Sequence, residues 1–221
     1  MRARCKSPLP DFISLNVKIM FKQAVIAFFI IIIMGVASGS SNEKIVFLGD
    51  SLTAYADWNE LFPSDNIINR GISGNTTQDI YNRLGAVIKD APKKIFIMVG
   101  INDIIRGKSV DDLTLTYNKI LKVLINRLPN ADIYVISVLP VNFSGDLYNL
   151  YVNTTVIAAN ERIKQSVKKH TKKDKVKFLD IYGTFTKSGT SGLIPMYTYD
   201  GIHLTHQGYL NWKQQIRPYV N

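Results

Sequence analysis

Residues 94–100 read KIFIMVG and residues 132–138 read DIYVISV. Both runs are almost continuously apolar, rich in isoleucine, valine and aromatics, with no regular alternation of polar positions. A strand built that way is covered on both faces, as the parallel strands of α/β proteins are. Lys94–Val99 and Asp132–Val138 are therefore read as central strands. Shorter runs at Lys44–Leu48, Asn66–Asn69 and Val176–Leu179 bring the count to five. Segments with a helical period separate them: Thr77–Lys89, Val110–Arg127, Val152–His170 and His206–Pro218. Ser109 followed by Asp111 and Asp112 makes a helix start, and Pro129-Asn130 a stop. Strands alternating with helices imply parallel strands joined by helical crossovers, hence an α/β protein: a three-layer α/β/α sandwich with a five-stranded parallel sheet. No internal repeat or compositional break divides residues 42–221, which read as one domain.

Residues 1–41 read as an N-terminal extension. Within it, residues 24–37 (AVIAFFIIIIMGVA) are uniformly apolar, follow Lys18 and Lys22, and run into Ser38-Gly39-Ser40-Ser41. A basic flank, an apolar centre of about 7 to 15 residues and small residues for cleavage are the parts of a secretory signal peptide. The run is short against the roughly 20 residues of a membrane span. Cleavage is therefore the expectation, with an uncleaved anchor and membrane association as the alternative. Either reading puts the domain outside the cytoplasm, periplasmic, secreted or held at the membrane facing outward. Met20 offers a second start site just before the run. The one cysteine, Cys5, lies in the extension, which leaves the domain without a disulfide or a cysteine nucleophile. The 221 residues include 27 Lys and Arg against 17 Asp and Glu, a net charge of +10. Five of those basic residues and only one of the acidic ones precede residue 42, so the domain itself is more nearly balanced. Its densest basic run, Lys168 to Lys175, ends an amphipathic helix and reads as a solvated face. No recognition motif or basic-aromatic interleaving accompanies that run, and no nucleic-acid partner is expected.

In an open parallel sheet, function gathers at the C-terminal ends of the strands. Four segments fall there. Gly49-Asp50-Ser51-Leu52 follows the first strand, Asn69-Arg70-Gly71-Ile72-Ser73-Gly74-Asn75 the second and Gly100-Ile101-Asn102-Asp103 the third, while Asp200-Gly201-Ile202-His203 lies in the last loop. A serine hydroxyl attacks only when a neighbouring base takes its proton. His203 lies three residues after Asp200, a spacing that lets the carboxylate reach Nδ1 and leaves Nε2 for the serine. His203 is thus the candidate base, Ser51 the nucleophile and Asp200 the orienting acid. Acyl transfer also needs preorganised donors where the oxyanion develops. The Gly74 backbone N–H, the Asn102 side-chain amide and the Ser51 backbone N–H supply three.

These segments, in the contexts GDSL, NRGISGNTT, GIND and DGIH, resemble the four signature blocks of the SGNH (GDSL-type) hydrolase family of serine esterases and lipases. The resemblance spans essentially all of residues 44–221 and no block is broken. It implies a flavodoxin-like fold and hydrolysis of carboxylic esters or thioesters with no metal and no cofactor. It also implies Ser51, Asp200 and His203 as the triad and Ser51, Gly74 and Asn102 as the oxyanion hole.

Other readings stand beside this one. Taken singly, Gly49-Asp50-Ser51 is a turn opening a helix with Asp50 or Ser51 as N-cap, Gly71 and Gly74 are turn glycines, and Asp103 makes an Asx-turn. Asp200, His203 and His206 read as D-x-x-H-x-x-H, three ligands for zinc. No further cluster joins them, and His206 reads as a helix-start residue. A catalytically inactive glycan-binding module would keep the same fold. FLGDSLT lacks the phosphate loop's Gly-Lys-Ser/Thr ending, and the nucleophile elbow G-x-S-x-G is absent. The partner expected is a small-molecule, glycan or lipid ester. Its pockets are expected in the loops Pro140–Tyr151, with Phe143, Tyr148 and Tyr151, and Thr186–Tyr199, with Leu193, Met196, Tyr197 and Tyr199. Tyrosines suit sugar faces and acyl chains alike. With no long apolar lid segment, the expectation is a short-chain or carbohydrate O-acetylesterase, and the alternative a lysophospholipase or thioesterase of broad acyl range.

Overall fold

The computed structural model describes residues 43–170, 175–187 and 191–220. The apolar run at 24–37, with its readings as cleaved signal or anchor, lies outside the described residues. Among the described residues no helix is long and apolar enough to cross a membrane.

Strand β1 (Lys44–Gly49) leads into two short helices, α1 (Ser51–Ala54) and α2 (Trp58–Leu61). Then follow β2 (Asn66–Gly71), α3 (Thr77–Asn82), α4 (Leu84–Asp90), β3 (Lys94–Met98), α5 (Ile101–Ile105) and α6 (Val110–Arg127). The chain closes with β4 (Asp132–Ile136), α7 (Asp146–Lys169), β5 (Val176–Leu179) and α8 (His206–Val220). All neighbouring strands pair in parallel, in the order β2-β1-β3-β4-β5. This is the flavodoxin-like order, and it reverses between β1 and β3, where such sheets leave a crevice at their carboxyl ends.

Successive side chains of a strand point to opposite faces, and here both faces are covered. Val46, Leu48, Ile95, Ile97, Ile133 and Val135 pack against helices α3, α4, α6 and α7 through residues such as Ile80, Leu84, Tyr117 and Val156. Ile45, Phe47, Phe96, Met98, Tyr134 and Ile136 pack against α2 and α8 through Trp58, Leu61, Trp212 and Ile216. The register sets Phe47 beside Phe96 and Phe96 beside Tyr134. Their rings stack across the three central strands with centroids 4.9 and 4.7 Å apart. Trp58 extends the stack from α2, 3.7 Å from Phe47, and meets Trp212 of α8 edge-on at 5.4 Å. Each such ring pair adds about 0.5–1.5 kcal/mol to the burial of its surface.

Besides the short helices α2 and α5, which the sequence reading did not set apart, two elements depart from it. Helix α7 begins at Asp146 rather than Val152, so the expected pocket loop Pro140–Tyr151 ends at Gly145, whose φ is 107°. Leu147, Leu150 and Tyr151 in its first turns are exposed, and the core-facing period that marks a helix starts only at Val152. The stretch Thr77–Lys89 is two helices, because Arg83 leaves helical geometry at φ −109° and ψ 13°.

Candidate active site

Strand β1 delivers Ser51 to the switch point as the first residue of α1. Asp50 caps that helix, its carboxylate accepting the Leu52 amide at 3.0 Å. The N-cap reading of Asp50 and the nucleophile reading of Ser51 are thus compatible, since one turn serves both. Close approach of backbone makes the turn possible. A Cβ on Gly49 would stand 2.1 Å from Thr53 Oγ1 and 2.4 Å from the Met98 carbonyl, and one on Gly71 would stand 2.2 Å from the Ala54 nitrogen.

The last loop brings His203 and Asp200 to the same place. His203 Nε2 lies 2.9 Å from Ser51 Oγ, and Nδ1 lies 2.6 Å from Asp200 Oδ2. Asp200 Oδ1 also accepts the amides of Ile202 and His203, at 3.0 and 2.7 Å. Burial alone would raise the Asp200 carboxyl, but these hydrogen bonds and the neighbouring imidazole outweigh it and hold the group below its ordinary value. An ionised carboxylate only accepts, so Nδ1 carries the ring proton and Nε2 is left to accept from the serine hydroxyl. Both ring nitrogens of His203 are therefore engaged. His206 starts α8, and among the described residues no three His, Cys, Asp or Glu side chains converge as metal ligands.

The loop that carries Gly74 and the first turn of α5, which carries Asn102, are locked to one another. Gly74 sits at φ 76°, a conformation that favours glycine. Asn102 Nδ2 donates one hydrogen to the Asn75 carbonyl at 3.0 Å, which aims the amide and leaves its second N–H. Arg106 donates to the Gly74 carbonyl at 2.9 Å. From the break between α3 and α4, Arg83 donates to Asn75 Oδ1 at 2.7 Å, to the Gly49 carbonyl at 2.9 Å and to the Arg70 carbonyl at 2.8 Å. One guanidinium thus ties the end of β1, the end of β2 and the residue after Gly74.

Asp103 corrects the sequence reading. It is no loop residue in an Asx-turn but a buried carboxylate that accepts the amide and hydroxyl of Thr77 at 2.8 and 2.7 Å and pairs with Lys108 at 3.1 Å. It pins the start of α3 to α5. Asp50 behaves differently: burial first, with the Asp103 charge adding, pushes its carboxyl up to about 7 against the lowering effect of the Leu52 amide. Arg83, Arg106 and Lys108 were not singled out in the sequence. Arg83 and Arg106 bond to carbonyls of distant residues, and Lys108 to the side chains of Asp103 and Thr77, none of which leaves a trace in a motif.

The sequence and the fold also match known proteins. The GDSL-like Lipase/Acylhydrolase family matches residues 47–210. Platelet-activating factor acetylhydrolase IB subunit alpha2 of Rattus norvegicus is 31% identical over 172 residues, covering 75% of this chain and 70% of that protein. The alpha1 subunit of Homo sapiens is 30% identical over 179 residues, covering 78% of this chain and 73% of that protein. Among solved structures, a GDSL-like lipase from Bacteroides thetaiotaomicron superposes with a TM-score of 0.66 at 22% identity, over 81% of this chain and 88% of that one. An acetylxylan esterase from Geobacillus stearothermophilus gives 0.64 at 20% identity, over 82% and 95%. The last two likenesses speak for the fold; the family match and the 30–31% relatives speak for descent. The chain belongs to the GDSL-like lipase/acylhydrolase family, the SGNH hydrolases, and is a carboxylic ester hydrolase.

Proposed function

We propose that the chain hydrolyses short-chain esters, acetyl esters foremost, through an acyl-enzyme on Ser51. The observation that carries this is the unbroken hydrogen-bonded line from Asp200 through His203 to Ser51. Ser51 Oγ attacks the ester carbonyl carbon while its proton passes to His203 Nε2, and the carbonyl π pair moves onto oxygen. The backbone N–H groups of Ser51 and Gly74 and the free N–H of Asn102 receive that oxyanion. Collapse breaks the bond to the alkoxide, which leaves with the proton from His203. Water then repeats the cycle on the acyl-enzyme, releasing the carboxylic acid and restoring the Ser51 hydroxyl. Asp200 holds the imidazole and stabilises its charged form without taking the proton itself.

The acyl preference is supported by the names of similar proteins. The platelet-activating factor acetylhydrolases and the acetylxylan esterase share the acetyl group, though their alcohols differ. The signal-like run at 24–37 supports action outside the cytoplasm.

Ser51→Ala should fold normally, lose labelling by a fluorophosphonate and lose turnover by orders of magnitude. His203→Ala should lower kcat/KM by orders of magnitude, because the serine then has no base to take its proton. Asn102→Ala should lower kcat by about 10² to 10³, since it removes one oxyanion donor and leaves the triad in place. Labelling that persists in Ser51→Ala would put the nucleophile elsewhere. In a series of p-nitrophenyl esters, activity should peak at acetate; a peak at octanoate or longer would favour the lysophospholipase or thioesterase reading.

A further inference from the structure

In the reaction proposed above, the alcohol takes its proton from His203 Nε2, so the alcohol half of the ester lies against whatever flanks that imidazole. Two tyrosines do. The Tyr55 ring centroid is 5.2 Å from that of His203, and the Tyr199 ring stacks beside the imidazole at 5.9 Å with 19° between planes. Tyr55 follows α1, its amide donating to the Ser51 carbonyl, and Tyr199 precedes Asp200, its amide donating to the His203 carbonyl. Both are thus held by the backbone that holds the triad. Neither ring is packed away: Tyr55 is 54% exposed and Tyr199 65%. The Tyr55 hydroxyl meets Ser73 Oγ at 3.1 Å, which fixes the ring by its tip. An open cleft of about 400 Å³ lined by Tyr55 continues past Asp57, Asn59 and Asn69, all three exposed.

We propose that Tyr55, Tyr199 and this cleft form the binding site for the alcohol half of the ester, and that this alcohol is a neutral sugar ring. The assignment rests on the Ser51–His203 reading. A pyranose carries an apolar C–H face suited to an aromatic ring and a rim of hydroxyls suited to Asp57, Asn59 and Asn69. Asp57 Oδ1 already accepts the Glu60 amide, and Asn69 already donates to the Ala54 carbonyl and accepts the Gly71 amide. A long alkyl chain would strip water from Asn59 and from the remaining Asp57 oxygen and Asn69 N–H and return no hydrogen bond, at about 1–3 kcal/mol for each group left unpaired. A quaternary ammonium alcohol would suit the aromatic faces. It would, however, lie beside His203 at the moment the imidazole becomes a cation, a like-charge contact at short range. The neutral sugar meets neither objection.

The test compares ethyl acetate, dodecyl acetate, acetylcholine and an acetylated methyl xyloside as substrates. The wild-type enzyme should show its highest kcat/KM on the xyloside acetate. Tyr55→Ala and Tyr199→Ala should each lose about tenfold more on the xyloside acetate than on ethyl acetate, the scale of one lost ring contact. That excess should appear mainly in KM, and Tyr199→Trp should restore it. Equal losses on both acetates would assign the tyrosines to His203 itself and overturn the proposal. So would a wild-type preference for dodecyl acetate or acetylcholine. An enzyme active on ethyl acetate but indifferent to the sugar overturns this proposal alone. An enzyme inactive on every acetate, with no fluorophosphonate label on Ser51, overturns the triad reading and this assignment with it.

Discussion

Two carboxyls near Ser51 are handled in opposite ways. Asp103 has an ammonium neighbour in Lys108 and two donors from Thr77. Asp50, capping α1 one residue before the serine, is buried and has its carboxyl pushed from 3.8 to about 7. The folded protein therefore keeps a proton that the unfolded chain releases above about pH 4. Stability tied to Asp50 is fully present below that pH, falls as pH rises towards 7, and is level beyond. The loss is on the order of 4 kcal/mol. Asp50→Asn retains an acceptor for the Leu52 amide and removes the titration. Its thermal midpoint should therefore exceed the wild type's by more at pH 8 than at pH 4.5; the same offset at both values would count against the raised carboxyl. The capping role of Asp50 was legible in the sequence because a cap is local. Its protonation was not, because that depends on how deeply the turn is buried and on a second acid from another loop.

Helix α1 has four residues, and its position comes from neighbours rather than from its own hydrogen bonds. Gly49 and Gly71 let it sit directly against the sheet. Gly71→Ala would drive a methyl group into the Ala54 backbone and displace α1 together with Ser51. The expected result is a lower melting temperature and slower fluorophosphonate labelling of Ser51. Normal labelling kinetics in the folded variant would mean that Ser51 does not depend on this contact. The same elements show why the sequence could be read only so far. The five strands were legible because sheet burial writes itself as runs such as KIFIM and DIYVI, and Val110–Arg127 because Ser109 caps it, its hydroxyl accepting the Asp112 amide. The first turns of α7 were not, because their apolar residues face outward. Arg83 was passed over inside a helical pattern, since its reason for breaking that pattern is three partners at Gly49, Arg70 and Asn75.

At the scale of the molecule, the candidate catalytic residues are gathered at one end of the sheet, while the described chain enters β1 at the other, through Glu43 and Lys44. If the apolar run at 24–37 is a signal, mass spectrometry of the exported protein should find an N-terminus between Ser38 and Glu43, and recovery of the intact chain from membranes would show an anchor instead. The two layers of helices, one on each face of the sheet, also differ in what they absorb. Trp58 and Trp212 are the two tryptophans of the whole chain, and both sit in the layer formed by α2 and α8. Packed edge to face, they form a coupled pair of chromophores whose near-ultraviolet dichroism disappears when that layer loosens. The buried Trp212 indole N–H has no hydrogen-bond partner among the described residues, a setting that gives blue-shifted emission. The layer of α3, α4, α6 and α7 holds no tryptophan and adds nothing to tryptophan emission, while its tyrosines, Tyr117 among them, add to the near-ultraviolet dichroism. Tryptophan emission thus follows one face of the sheet, whereas far-ultraviolet dichroism follows both, and the two melting curves coincide only if the faces come apart together.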